Sequence, residues 1–241
     1  MIVRTHYEVG QTALSIVCDE SYLGTVKDAV HSARSIIEGK IAEDPFFATT
    51  FEPYPVMRDD HPLVQRMCQA SSLSNVGPMA GVAGAVASFA VESAVESGCD
   101  HIIVENGGDI CLRTSKDTVI GMFSGEDGFR DIAYRVDPTG TMTGICSSSG
   151  KVGPSISFGN SGICTVFSDD TILADCCATA FGNMIVEGTS EEMGRAAEAI
   201  ASIEGVNGCV CVCNGLMSVC GTIPEIVRAG GTESNITSIL L

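Results

Sequence analysis

Between residues 101 and 167 apolar, alternating segments follow one another with little more than turns between them, and this order constrains the architecture most. Parallel strands need a crossover of a dozen or more residues, usually a helix, whereas antiparallel neighbours need only a turn. The segments 101–112, 117–123, 131–136, 141–146 and 162–167 read as strands, and 2–9 and 13–19 read as an opening hairpin around Gly10. "CVCVCNGLMSVCG" reads as a closing hairpin with Asn214 and Gly215 as its turn. Helices are few. One spans about 25–42, with Val26, Val30, Ala33, Ile37 and Ile41 on one stripe, and a short one lies near 64–70. Another opens at Pro78 and stops at Gly98, one spans about 170–183, and the last starts at Thr189, whose hydroxyl and Glu192 fit a capping box. The expected fold is α+β, with antiparallel β-sheets covered by helices.

No linker rich in Pro, Gly or Ser divides the 241 residues, and 45–62 reads as a long surface loop. A single domain over 1–241 is expected, or two intimately packed α/β halves. The two Ala-rich helices, each flanked by strands, leave room for an internal duplication.

Thirty acidic residues against thirteen Lys and Arg give a formal charge of −17, and the basic residues are scattered. Nucleic acid is therefore excluded as a partner. The N-terminal segment lacks a signal-peptide pattern, so a cytoplasmic location is expected. The apolar run 78–91 reaches Glu92 before it could cross a bilayer core of about 30 Å, so no membrane partner is expected either. Twelve cysteines in such a chain read as reduced thiols. Cys209, Cys211 and Cys213 alternate with valines and share one strand face, without the spacing that grips a zinc ion or cluster.

"VENGGDI", at 104–110, interrupts an apolar strand with two glycines framed by Asn106 and Asp109. Glycine weakens a strand, so Gly107 and Gly108 require a cause: a close backbone approach to a ligand, or a tight hairpin turn. Two phosphate-binding patterns fail. Gly77, Gly81 and Gly84 are spaced GxxxGxxG rather than GxGxxG, and "GICSSSGKV" has five residues between its glycines and Val152 where a magnesium-binding hydroxyl belongs. His6, His31, His61 and His101 come without a nucleophile elbow, so no hydrolase triad is read. In "LADCCATAFGN", Asp175 and Thr179 lie one helical turn apart and could offer two hard oxygens to a cation such as magnesium. The alternative is an acid in a first helical turn with a Thr bonding back to a carbonyl.

Taken together, "GVAGA" at 81–85, "ENGGD" at 105–109 and "ADCCAT" at 174–179 resemble, in order and spacing, the ApbE-like flavin transferases. That family carries a GIAKG-type helix start, an NAGGD or NGGGD strand and an ADxxxT helix. The wording around 76–85 and 104–110 is similar to a mainly archaeal branch of it. The resemblance implies a flavin nucleotide, FAD or FMN, lying near Gly81, Ala83, Asn106, Gly107, Gly108 and Asp109. It also implies Mg2+ held by Asp175, Thr179 and the carbonyl of Ala83. Two departures stand out: Gly84 replaces the family's helix lysine, and no counterpart of the HxxDPxTG stretch is present. Ser147, Ser148, Ser149 and Lys151 are the nearest polar residues to that gap, and no catalytic residue is assigned.

The resemblance implies an FMN transferase, or a relative with altered chemistry, acting on a small nucleotide ligand and with room for a protein acceptor or a homo-oligomer. An alternative is an accessory protein of sulfide assimilation and homocysteine formation in anaerobes. A purely structural or partner-binding domain is a third reading.

Overall fold

Alternation at the N-terminus builds β1 (Ile2–Val9) and β2 (Thr12–Asp19), paired antiparallel through a turn in which Gly10 has φ 58°. The apolar stripe that follows forms α1 (Leu23–Glu43), burying Val26, Val30, Ala33 and Ile37. Lys40, not Ile41, takes the stripe's last buried position, and its ammonium pairs with Asp60 at 2.8 Å. The computed structural model describes residues 1–122, 124–138, 140–149 and 162–228.

The loop expected at 45–62 contains one helical turn, α2 (Phe46–Thr49), and the short helix extends to α3 (Pro62–Ser74). A 3-10 turn at Pro78–Gly81 leads into α4 (Val82–Glu96), whose Ala85, Val86, Ala87, Ala90, Val91 and Ala94 are buried. Its apolar character is that of a core helix. The strand expected at 101–112 is instead a hairpin of β3 (Ile102–Asn106) and β4 (Asp109–Arg113). Then come β5 (Thr118–Gly121), β6 (Ile132–Val136), β7 (Thr143–Ser148) and β8 (Ile163–Ser168). Helices α5 (Thr171–Met184) and α6 (Ser190–Ala201) follow, the latter capped by Thr189, whose hydroxyl accepts the Glu192 N–H. The chain then forms β9 (Val206–Cys213), β10 (Leu216–Gly221) and β11 (Glu225–Arg228).

Eight strands form one antiparallel sheet in the order β1-β2-β3-β4-β7-β8-β9-β10, and β11-β6-β5 form a second sheet. Along the chain the larger sheet is laid down twice in the same order: a hairpin, then helices, then a hairpin. Alternation sorts its side chains into two layers. Val104, Cys111, Cys146, Cys164, Val166, Cys209, Cys211 and Cys213 join the helices in one core. Leu112, Ile145, Phe167, Val210 and Val212 face the small sheet, where Tyr134 meets Phe167 edge-on at 4.9 Å. The three alternating cysteines of β9 therefore do share one face, as apolar packing.

The helix layer stands very close to the sheet at one point. A Cβ on Gly144 of β7 would lie 2.6 Å from the Cα of Thr171, at the start of α5, so no larger residue fits without moving the helix. Gly144→Ala should accordingly destabilise the fold by about 1–3 kcal/mol. Equilibrium denaturation would register this as a lower midpoint with an unchanged slope.

Candidate functional site

Each of the three sequence motifs ends in a hydrogen bond to a distant stretch. The Gly84 N–H, in the first turn of α4, donates to Asp175 Oδ2 of α5 at 2.8 Å. Asn106 Nδ2, at the end of β3, donates to the Ala83 carbonyl at 3.2 Å. The Ser147 N–H of β7 donates to Asp109 Oδ1 at 3.2 Å. Five elements, α4, α5, β3, β4 and β7, thus converge at one end of the sheet.

Gly107 and Gly108 explain how the chain arrives there. Their φ values of 66° and 106° make the two-residue hairpin turn, and Asn106 faces Asp109 as the last pair of the ladder. A side chain at Gly107 would meet nothing within 4 Å, while a Cβ on Gly108 would come to 4.0 Å from the Ser147 carbonyl. The turn is what requires the glycines, and it sets the amide and carboxylate against Ala83 and Ser147. A Cβ on Gly81 would lie 2.7 Å from Cys176 Sγ, so its bareness serves the packing of α5.

Asp109 and Asp175 are 8% and 6% exposed. Burial lifts the Asp175 carboxyl to about 7 against the hydrogen bonds from the Gly84 and Ala83 N–H groups. Burial also pushes Asp109 well above the ordinary carboxylate range, and the neighbouring Asp175 charge adds to it. Among the described residues neither acid has a Lys or Arg partner. The Cys146 thiol beside them is raised by burial and then by both carboxylates. Thr179 lies one turn beyond Asp175, half-buried and, among the described residues, without a side-chain hydrogen bond. The alternative of a capping acid with a back-bonded Thr is not what forms: Asp170 caps α5, accepting from Ile172 and Leu173 at 2.9 and 3.4 Å.

Chemically this is a set of hard oxygens with a surplus of negative charge. Two close buried carboxylates must hold a proton or share a cation. Among the described residues no three His, Cys, Asp or Glu side chains gather as a cage, so a cation here would depend on a carboxylate, a hydroxyl, a carbonyl and a ligand's own oxygens. The Ala83 carbonyl, in the first turn of α4, accepts from Asn106 Nδ2 in addition to its place in the helical hydrogen-bond ladder. Ser147 to Ser149 lie at the end of β7, and Lys151 is outside the described residues.

A family model described as AbpE bacteria matches residues 2–206. The chain is 39% identical to a UPF0280 protein of Methanocella arvoryzae over 231 residues, covering 96% of this chain and 94% of the relative. It is 40% identical to one of Methanothrix thermoacetophila over 230 residues, covering 95% and 96%. The chain belongs to an archaeal branch of the ApbE-like family. Among solved structures, the flavin transferase ApbE of Vibrio cholerae matches with TM-score 0.60 at 12% identity, covering 92% of this chain and 97% of that one. The apo flavinyl transferase ApbE of Pseudomonas stutzeri matches with TM-score 0.57 at 14%, covering 92% and 94%. At those identities the likeness establishes the fold.

This ApbE-like chain also shows why its helix carries Gly84. A Cβ there would lie 2.6 Å from the Thr171 carbonyl and 3.0 Å from Asp175 Cβ, so any side chain would push α4 and α5 apart. Sequence reading missed two supporting features. In the sequence Gly144 stands out only as part of a failed phosphate loop, and nothing local marks its contact with Thr171. Arg66 of α3 ties the two site helices together, with Nη1 2.7 Å from Glu92 Oε1 on α4 and Nη2 3.6 Å from the capping carboxylate of Asp170. A lone Arg on an amphipathic helix carries no signal of that kind.

The raised carboxyls predict a pH dependence. Between the ordinary carboxylate value of about 4 and about 7, the metal-free folded protein keeps a proton that the unfolded chain has released. The stability of that form should fall as pH rises through this window. Melting temperatures in chelator at pH 5 and pH 7.5 should show it, and Asp175→Asn should flatten the decline and stabilise the metal-free protein at the higher pH.

Proposed function

We propose that this protein binds a flavin nucleotide through its diphosphate together with a divalent cation, magnesium being the hard-oxygen choice. The observation that carries the proposal is the buried Asp109–Asp175 pair, set between a helix start and a glycine turn with no cationic side chain beside it among the described residues. Asp175, Thr179 and the Ala83 carbonyl would hold the cation. When bound, it would neutralise charge on the diphosphate, where among the described residues no lysine stands at the site.

The chain's own groups have distinct tasks in this reading. The Gly84 N–H fixes the rotamer of Asp175, and Asn106 orients the Ala83 carbonyl. The first turn of α4 gives its Ala83 and Gly84 N–H groups to the Asp175 carboxylate, which holds that carboxylate in place for a cation. The solved relatives that share this fold are flavin transferases, which supports a flavin nucleotide as the ligand. Transfer of FMN from FAD to a protein hydroxyl would break the diphosphate P–O bond with AMP as the leaving group, and would require a group that takes up the hydroxyl proton. Asp109, the buried carboxyl of the site to which no cation contact is assigned, is the candidate for that role.

Calorimetric titration with FAD tests the reading. Binding should require magnesium, and Asp175→Ala should weaken it at least tenfold while far-UV circular dichroism stays unchanged. A folded wild-type protein that takes up no FAD with magnesium present would reject the proposal.

A further inference from the structure

Ser147, Ser148 and Ser149 form a run that sequence alone cannot resolve into separate roles. The structure separates them. Ser147 Oγ lies 2.9 Å from Thr165 Oγ1, and Ser149 Oγ donates to the Gly162 carbonyl at 2.6 Å. Ser148 is 4% exposed, and its hydroxyl is buried with no hydrogen-bond partner among the described residues. A buried hydroxyl left unpaired costs stability that alanine would avoid. Its retention calls for an acceptor that the folded chain does not itself supply.

The strand's pleat shows where that acceptor would sit. Gly144, Cys146 and Ser148 alternate onto the helix-facing side of β7. Gly144 abuts Thr171, and the Cys146 thiol lies 3.5 Å from the Thr171 carbonyl, next to both site carboxylates. Two strand residues advance about 6.7 Å and four helix residues about 6 Å, so β7 and α5 run in step. With Cys146 beside Asp175, Ser148 comes level with the turn that carries Thr179. It therefore stands along the same line as the proposed cation ligands.

We infer that the Ser148 hydroxyl is a ligand-contacting group of this site, donating a hydrogen bond to a phosphate oxygen of the bound diphosphate. The inference rests on the proposed function and adds a contact to it. A neutral donor suits the position. Cys146, two residues before it on the same face, stands beside two acids, and a hydroxyl can serve an anionic oxygen held there by a cation without adding charge of its own. Ser147 and Ser149 are committed to protein partners, so Ser148 is the member of the run whose hydroxyl is available.

The test compares Ser148→Ala with the wild type, using inorganic pyrophosphate, FAD and magnesium as probes. Ser148→Ala should leave the affinity for magnesium alone unchanged and weaken both magnesium pyrophosphate and magnesium FAD by roughly tenfold. Its melting temperature should hold or rise by a few degrees, because an unpaired polar group has been removed. Ser147→Ala should instead lower the melting temperature, since it removes the hydrogen bond between Ser147 and Thr165. Unchanged pyrophosphate and FAD affinity in Ser148→Ala overturns the inference, whatever the melting temperature does. Weaker binding of magnesium alone also overturns it, by making Ser148 a metal ligand. If the wild type binds and Asp175→Ala does not, while Ser148→Ala matches the wild type, only the Ser148 contact falls. If the folded wild type binds neither probe, the proposed function falls and this contact with it.

Discussion

The start of α5 is pressed against two glycines, Gly144 on the sheet and Gly84 on the neighbouring helix, and the site exists because nothing larger stands at either place. Backbone contact at these points brings the Asp175 carboxylate within hydrogen-bonding reach of a main-chain N–H on α4. It also sets the same helix over Cys146. Protein interiors transmit small displacements rather than absorb them, so one added methyl here would be felt across the whole convergence. In this chain the helix lysine expected from the family resemblance would have to occupy the space that gives α4 and α5 their contact.

Electrostatics at the cleft follow from that geometry. Two carboxylates are withdrawn from water, and main-chain N–H groups, a thiol and the further carboxylate of Glu105 stand near them. Such an arrangement is a burden on the folded state unless a proton or a cation intervenes. Sites whose polar groups are under-satisfied in isolation are common where a ligand completes them. The pairing of a carboxylate surplus with an unpartnered hydroxyl has this character. By contrast, the Lys40–Asp60 pair is a buried acid and base that neutralise one another.

Much of this was legible in the sequence, because its signals were local. Period-2 alternation located most of the strands, and Pro78, Thr189 and the Asn214–Gly215 turn marked boundaries that the backbone observes. The glycine pair at 107–108 was legible as an anomaly, and hairpin turn and close approach were both open; the turn is realised, and it carries Asn106 and Asp109 to their partners. Long-range facts stayed hidden. That β5 and β6 leave the main sheet and pair with β11 depends on which face each apolar residue finds. That Ser148 lacks a partner among the described residues while Ser147 and Ser149 have one depends on β8 and Gly162, which lie beyond any local pattern.

The cysteines have a practical bearing. Every one is a free thiol, and all but Cys220 are buried, many in the layer between sheet and helices. No covalent crosslink restrains the chain, so folding needs no oxidant and native cohesion comes from packing alone. Shielded sulfur atoms spread through one core also form an internal clock: an alkylating reagent can reach most of them only during transient opening, and the rate of its uptake would measure how often the molecule breathes.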